Sequence, residues 1–163
     1  MELKLELLEY QETAIKLVVN VFDGNDKNTF DNACADGIRS NICTLSNEQL
    51  TENIKSILLE NGIDEEIAEL RGEKELTIEM ETGTGKTLVY IKSIYEMFKH
   101  YRFTKFIILV PSVAIRQGVL SALSIFEKQL EEIYGFTPKV FEYSSKRLNK
   151  VTHFVEEQHP QIM

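Results

Sequence analysis

Residues 79–88 read E-M-E-T-G-T-G-K-T-L. Before them stands E-L-T-I-E-M at 75–80, whose polar–apolar alternation predicts a strand. After them, T-L-V-Y-I-K-S-I-Y-E-M-F at 87–98 carries the broad apolar face of a helix. A loop between a strand and a helix that holds Gly83, Gly85, Lys86 and Thr87 has the parts of a phosphate cradle. Glycines let backbone N–H groups turn inward with no Cβ in the way. Those donors, with the positive end of the following helix, attract an anion. Lys86 is suited to the outer phosphates, and the Thr87 hydroxyl to Mg²⁺. The competing reading of the same residues is an ordinary glycine turn with an exposed lysine. The general pattern G-x-x-x-x-G-K-[ST] would also place glycine at position 80, where this chain has Met80.

Working outward, K-F-I-I-L-V at 105–110 is a nearly continuous apolar run stopped by Pro111. It predicts a parallel strand buried on both faces. Ser112 caps a long helix to about Tyr134, which Gly135 and Pro138 terminate. K-V-F-E-Y at 139–143 alternates like a strand, and H-P-Q-I-M at 159–163 enters another. Strand, helix, strand, helix, strand implies an α/β fold with a parallel sheet. Upstream, residues 7–22 have helical apolar spacing and end in the turn-formers D-G-N-D-K-N at 23–28. Residues 29–46 show no period and read as a loop-rich insertion. Ser46 or Asn47 caps a helix with Leu50, Ile54, Ile57 and Leu58 on one face, ended by Gly62. A further short helix is expected over 64–70.

Size and composition fit one globular domain: 163 residues, 43% hydrophobic and 27% charged. No apolar stretch is long enough to cross a bilayer, and the N-terminus M-E-L-K-L-E-L lacks a signal peptide's basic start and apolar core. The expectation is a cytoplasmic protein. Cys34 and Cys43 have neither the spacing nor the histidine partners of a metal site. The net charge of −8 is uneven: residues 1–81 hold 7 Lys+Arg against 19 Asp+Glu, and residues 82–163 hold 11 against 7. Whole-chain charge therefore does not exclude a phosphate-bearing partner. Charge alone favours Lys99, Arg102, Lys105, Lys146, Arg147 and Lys150 as solvated surface residues.

T-G-T-G-K-T at 82–87 with V-P-S-V-A-I-R-Q-G at 110–118 resembles the motor region of superfamily 2 helicases and translocases. In particular it resembles the Res subunit of type III restriction endonucleases, whose loop begins M-x-T-G-T-G-K-T, so Met80 is a feature of that family. The resemblance implies a P-loop NTPase (RecA-like) three-layer fold with a parallel sheet, over residues 75–163. Before it come an N-terminal helix (1–22) and an acidic helical insertion (23–74). It implies ATP and Mg²⁺ as cofactors, held by Thr82, Gly83, Thr84, Gly85, Lys86 and Thr87, with Lys86 and Thr87 catalytic and Thr87 on the metal. L-L-E-Y-Q at 7–11 is similar to the adenine-reading segment of these motors. There Gln11, whose amide both donates and accepts, would read the base edge and Tyr10 would pack near it. A Tyr-Gln pair at the front of an amphipathic helix is also common without any such role. Pro111, Ser112 and Arg116 match the segment that lies along a nucleic-acid strand, and such contacts are sequence-tolerant and salt-sensitive.

The resemblance further implies, for the whole protein, ATP-dependent movement on double-stranded DNA and cleavage with a modification methyltransferase. A complete motor also needs an acidic D-E-x-[HD] segment and an arginine from a second lobe. No such segment follows the loop here, and Glu131-Glu132 and Glu156-Glu157 read as surface pairs on helices. The expectation is a truncated first motor lobe, inactive alone, that binds ATP weakly and turns over negligibly. Two alternatives stay open: a superfamily 2 helicase of DNA or RNA without a nuclease, and a nucleotide-binding module that does not hydrolyse ATP.

Overall fold

A computed structural model describes residues 6–29, 31–32, 34–35, 37–64, 76–144, 146 and 149–163. The elements run α1 (Glu9–Asn20), β1 (Cys34–Ala35), β2 (Ile38–Arg39), α2 (Asn47–Glu60), α3 (Lys86–Tyr101), β3 (Lys105–Phe106), α4 (Val113–Tyr134), β4 (Lys139–Val140), α5 (Asn149–Glu156) and β5 (Gln161–Ile162). The chain divides into two compact units, one of residues 7–26 and 43–93, the other of residues 1–6, 27–42 and 94–163.

The unit of residues 94–163 is built on a parallel sheet in the order β3-β5-β4. The last strand in the chain is therefore the middle one. Lys105 and Lys139 both stand opposite Gln161, and Phe106 and Val140 opposite Ile162. Gln161 N donates to Thr104 O at 2.8 Å and Met163 N to Phe106 O at 3.0 Å, so β3 bonds β5 through alternate residues. The outward-facing groups of Lys105 are taken by Asn41, which accepts from Thr104 N and Lys105 N and donates to Lys105 O at 2.6 Å. One carboxamide thus covers an edge that would otherwise leave strand donors and acceptors open.

Helix α4 starts at Ser112, whose hydroxyl accepts from Ile115 N, and ends at Gly135 with φ of 76°. Both bounds follow from the chemistry of the capping residues. Tyr95 of α3, Tyr134 of α4 and Phe136 form an aromatic cluster, with ring centroids 4.9 to 6.3 Å apart. Burial, with Glu127 and Glu131 nearby, pushes the Tyr95 phenol up to about 12. Burial also pushes Tyr134 up, and so does its hydrogen bond to Glu96.

In the other unit, Val21, Leu45 and Leu50 are buried together, with Phe22, Cys43, Ile54 and Ile57 packed against them. Ser46 accepts from Gln49 N and so is the residue that caps α2.

Five expectations need correction or bounding, that of Lys105 among them. Residues 76–80 join no ladder among the described residues, and Leu76 and Ile78 are exposed because no described strand lies beside them. Residues 105–110 are not buried on both faces: Ile107 and Leu109 are exposed, Leu109 at 90%, since only one face is covered by described elements. The insertion read as loop holds an antiparallel pair, with Cys34 opposite Arg39 and Ala35 opposite Ile38. Of the helix expected over 64–70, residues 65–70 lie outside the described residues, as does Glu75.

Lys105 is not a solvated surface residue. Burial lowers its pKa to about 8, with the Arg39 charge adding to this and Glu157 opposing it. Its ammonium donates to the Glu157 carbonyl and stands 5.4 Å from the Phe154 ring centroid. Between about pH 8 and 10 the unfolded chain keeps the Lys105 proton that the folded chain gives up. Stability from this residue therefore rises with pH across that window. Above pH ~10 the raised tyrosines act oppositely, because unfolded tyrosine ionises first there. Urea midpoints at pH 7.5 and 9.5 should show a rise in the wild type that Lys105→Met reduces. An equal pH dependence in both proteins would contradict this assignment.

Candidate functional site

The loop at 80–87 and the helix α1 that carries Gln11 belong to the same compact unit. Gly83 and Gly85 have φ of 82° and 83°. Other residues reach that left-handed region only at a penalty of about 1–2 kcal/mol. A Cβ at Gly83 would meet nothing within 4 Å. The space beside Gly83 is open, which leaves room for a phosphate group.

Lys86 Nζ donates to the carbonyls of Met80 and Glu81, both at 2.8 Å, which leaves its third N–H to another acceptor. Glu81 O also accepts from Thr84 N at 3.4 Å and Thr84 Oγ1 at 2.6 Å. Position 80 therefore acts through its carbonyl, which any residue supplies, and methionine there removes nothing that Lys86 uses. The first helical bond of α3 is Val89 N to Gly85 O at 3.1 Å. The N–H groups of Lys86, Thr87 and Leu88 thus have no carbonyl within the helix. They are the donors that an anion would take. Thr82 is exposed and Thr87 half-buried. Burial raises the Tyr90 phenol, and the neighbouring Thr87 side chain partly draws it back.

Gln11 is 6% exposed. Its Nε2 donates to Thr84 O at 2.9 Å, and its Oε1 accepts from Leu8 N at 3.0 Å. The carboxamide thus joins the start of α1 to the loop, 73 positions apart. A Cβ on Gly85 would lie 2.4 Å from Gln11 Nε2. Gly85 is thus favoured by its φ, and a Cβ there would displace the Gln11 amide from its bonds. Tyr10 is 46% exposed.

Pro111, Ser112 and Arg116 lie in the second unit. Pro111 and Ser112 are exposed where β3 gives way to α4. The Ser112 oxygen is engaged as a cap, which leaves its proton to donate. Arg116 Nε lies 3.5 Å from Glu142 Oε1, an ionic contact without hydrogen-bond alignment. Sequence reasoning missed this carboxylate, as it missed the Gln11–Thr84 bond.

The family model described as "Type III restriction enzyme, res subunit" matches residues 4–160. The chain is 33% identical over 117 residues to the Res subunit of the type III restriction-modification enzyme EcoP15I of Escherichia coli, covering 71% of this chain and 12% of that protein. It is 32% identical over the same length to the EcoPI Res subunit of Escherichia phage P1. It is 46% identical over 43 residues to the StyLTI Res subunit of Salmonella typhimurium, covering 26% of this chain and 4% of that protein. The chain spans about an eighth of the length of the first two relatives, from the 12% covered.

Gly85→Ala should destabilise the chain by about 1–2 kcal/mol from its φ alone, and further through Gln11. The further part should vanish in a Gln11→Ala background. A double-mutant cycle by urea unfolding measures it, and strict additivity would show that the close approach carries no energy.

Proposed function

Because the chain belongs to the family of Res subunits of type III restriction enzymes, we propose that it is the ATP-binding part of a DNA-translocating motor. The finer fold that goes with this reading is a RecA-like P-loop NTPase domain. The observation that carries it is the loop itself: two glycines at positive φ, with Lys86 drawn back onto the carbonyls of Met80 and Glu81.

In this reading Gly83, Thr84 and Gly85 shape the cradle, with Thr82 at its rim. Lys86 holds the outer phosphates with its remaining N–H, and the N–H groups opening α3 hold the others. Mg²⁺, when bound, supplies neutralisation of phosphate charge. Thr87 is the residue that would reach it. Gln11 is the adenine reader, and Tyr10 packs beside the base. Since both ends of the Gln11 amide are already engaged, reading a base uses its remaining N–H or exchanges one of those two bonds. Base recognition is thereby tied to the loop through Thr84. Pro111, Ser112 and Arg116 meet the phosphate backbone of double-stranded DNA, and Glu142 tempers that contact by pairing with Arg116.

For the whole protein the reading is ATP-dependent cleavage of DNA in the cytoplasm, together with a modification methyltransferase subunit. The names of the relatives support this, each being the Res subunit of a restriction-modification enzyme.

Calorimetric titration with Mg·ATP tests the first half. Binding should fall at least about tenfold in Lys86→Ala, the loss of one charge-assisted contact. Unchanged binding in that variant would refute the loop assignment. For DNA, Arg116→Ala should lower the slope of log affinity against log salt by about 1, without altering sequence preference. Glu142→Gln should strengthen binding, and no effect from either substitution would remove this segment from the interface.

A further inference from the structure

The unit of residues 94–163 with 27–42 contains a cavity of about 210 Å³ that the motor reading leaves unused. Arg39 and Arg102 line it, with Thr29, Thr104, Gln158 and the Phe98 ring among its walls. Thr104 precedes β3 and Gln158 precedes β5, so the cavity lies at the end where the parallel strands start. Pro111 and Ser112, offered for the DNA backbone, follow β3 at the opposite end. Open α/β sheets take their usual ligands at the carboxyl ends of the strands. This is therefore a different site.

We propose that this cavity binds a phosphate group, held by the guanidinium groups of Arg39 and Arg102 and by the hydroxyl and amide donors around them. Arginine presents a fork of donors that matches phosphate oxygens. Arg39 is 9% exposed, and its Nε donates to Glu156 O at 3.0 Å, which holds the side chain at the cavity wall. Arg102 stands at the end of α3 with φ of 58°, a position where glycine is favoured. A side chain kept in that strained conformation points to a task for it. Its guanidinium carbon lies 5.0 Å from the Phe98 ring centroid. The Thr29 hydroxyl oxygen accepts from Asn32 N, which leaves its proton to donate.

Charge nearby favours an anion. Lys105 is adjacent, and its lowered pKa reflects burial first and then repulsion from Arg39. The Glu157 carboxylate is held by Lys139 and by Gln161. The end of α3 would oppose an anion through its open carbonyls. Two of these are covered, Phe98 O by Arg102 N and Tyr101 O by Asn28 N, both at 2.9 Å. The donors come from four segments of chain, which suits a tetrahedral oxyanion better than a planar carboxylate. A volume of about 210 Å³ is below the ~300–1,000 Å³ of whole small-molecule sites. That size admits a phosphate group with little attached to it.

The test uses the full chain carrying Lys86→Ala, so that the loop at 80–87 contributes little. Inorganic phosphate is titrated at constant ionic strength and followed by ³¹P line broadening and by thermal unfolding. Phosphate should bind and raise the Tm. Arg102→Gly should weaken binding at least about tenfold, with the phosphate-free Tm unchanged or higher, since glycine relieves the strained φ. Arg39→Gln should weaken binding as well. Absent binding, or binding unaffected by Arg102→Gly, would overturn the proposal. A second arm identifies the source of the phosphate. If the salt slope of duplex DNA binding falls by about 1 in Arg102→Gly, the group belongs to a DNA backbone. If DNA binding is unchanged while phosphate binding falls, the site takes a small phosphorylated molecule. Either result upholds the site.

Discussion

The carboxamide of Gln11 is the contact on which the candidate nucleotide site depends. It is buried and bonded at both ends, to Leu8 N and to Thr84 O. Because it lies against Gly85, a Cβ there would push the amide off its present position. Because it bonds the Thr84 carbonyl, it fixes one peptide of the loop whose next residue opens α3. The second fixed point is the Glu81 carbonyl, which takes Thr84 N, Thr84 Oγ1 and Lys86 Nζ together. With both in place, the N–H groups that begin α3 remain as the donors without helical partners.

How much of this was legible in the sequence depends on the range of the interaction. The sign of φ at Gly83 and Gly85 follows from glycines placed between a lysine and threonines, all within six positions. The bounds of α4 follow from Ser112 and Gly135, each acting on its own neighbours. The Gln11–Thr84 bond spans 73 positions, and no local pattern reports it. The same holds for Asn41, which closes the outer edge of β3 from a segment that reads as aperiodic loop. Asn28 acts likewise: its side chain bonds both the N–H and the carbonyl of Ile42. Asparagine amides here replace a neighbouring strand, and they have no period to detect.

The apolar run at 105–110 misled for a physical reason. A continuous apolar strand implies cover on both faces, but hydropathy does not say what supplies the cover. The described elements cover one face and leave Ile107 and Leu109 in water. Lys105 at the head of the same run misled in the opposite sense. Its charge suggested solvent, while its ammonium is drawn onto the Glu157 carbonyl beside the Phe154 ring. Among the described residues no helix is long and apolar enough to cross a membrane, as the hydropathy of the sequence had indicated.

In the proposed function the loop at 80–87 receives the phosphates and Gln11 responds with it. Amide NMR of the ¹⁵N-labelled chain during addition of Mg·ATP tests this most directly. The backbone signals of Gly83, Gly85, Lys86 and Thr87 and the side-chain amide of Gln11 should shift together, with one common affinity. Nucleotide binding that moves signals elsewhere while these five stay in place would contradict it.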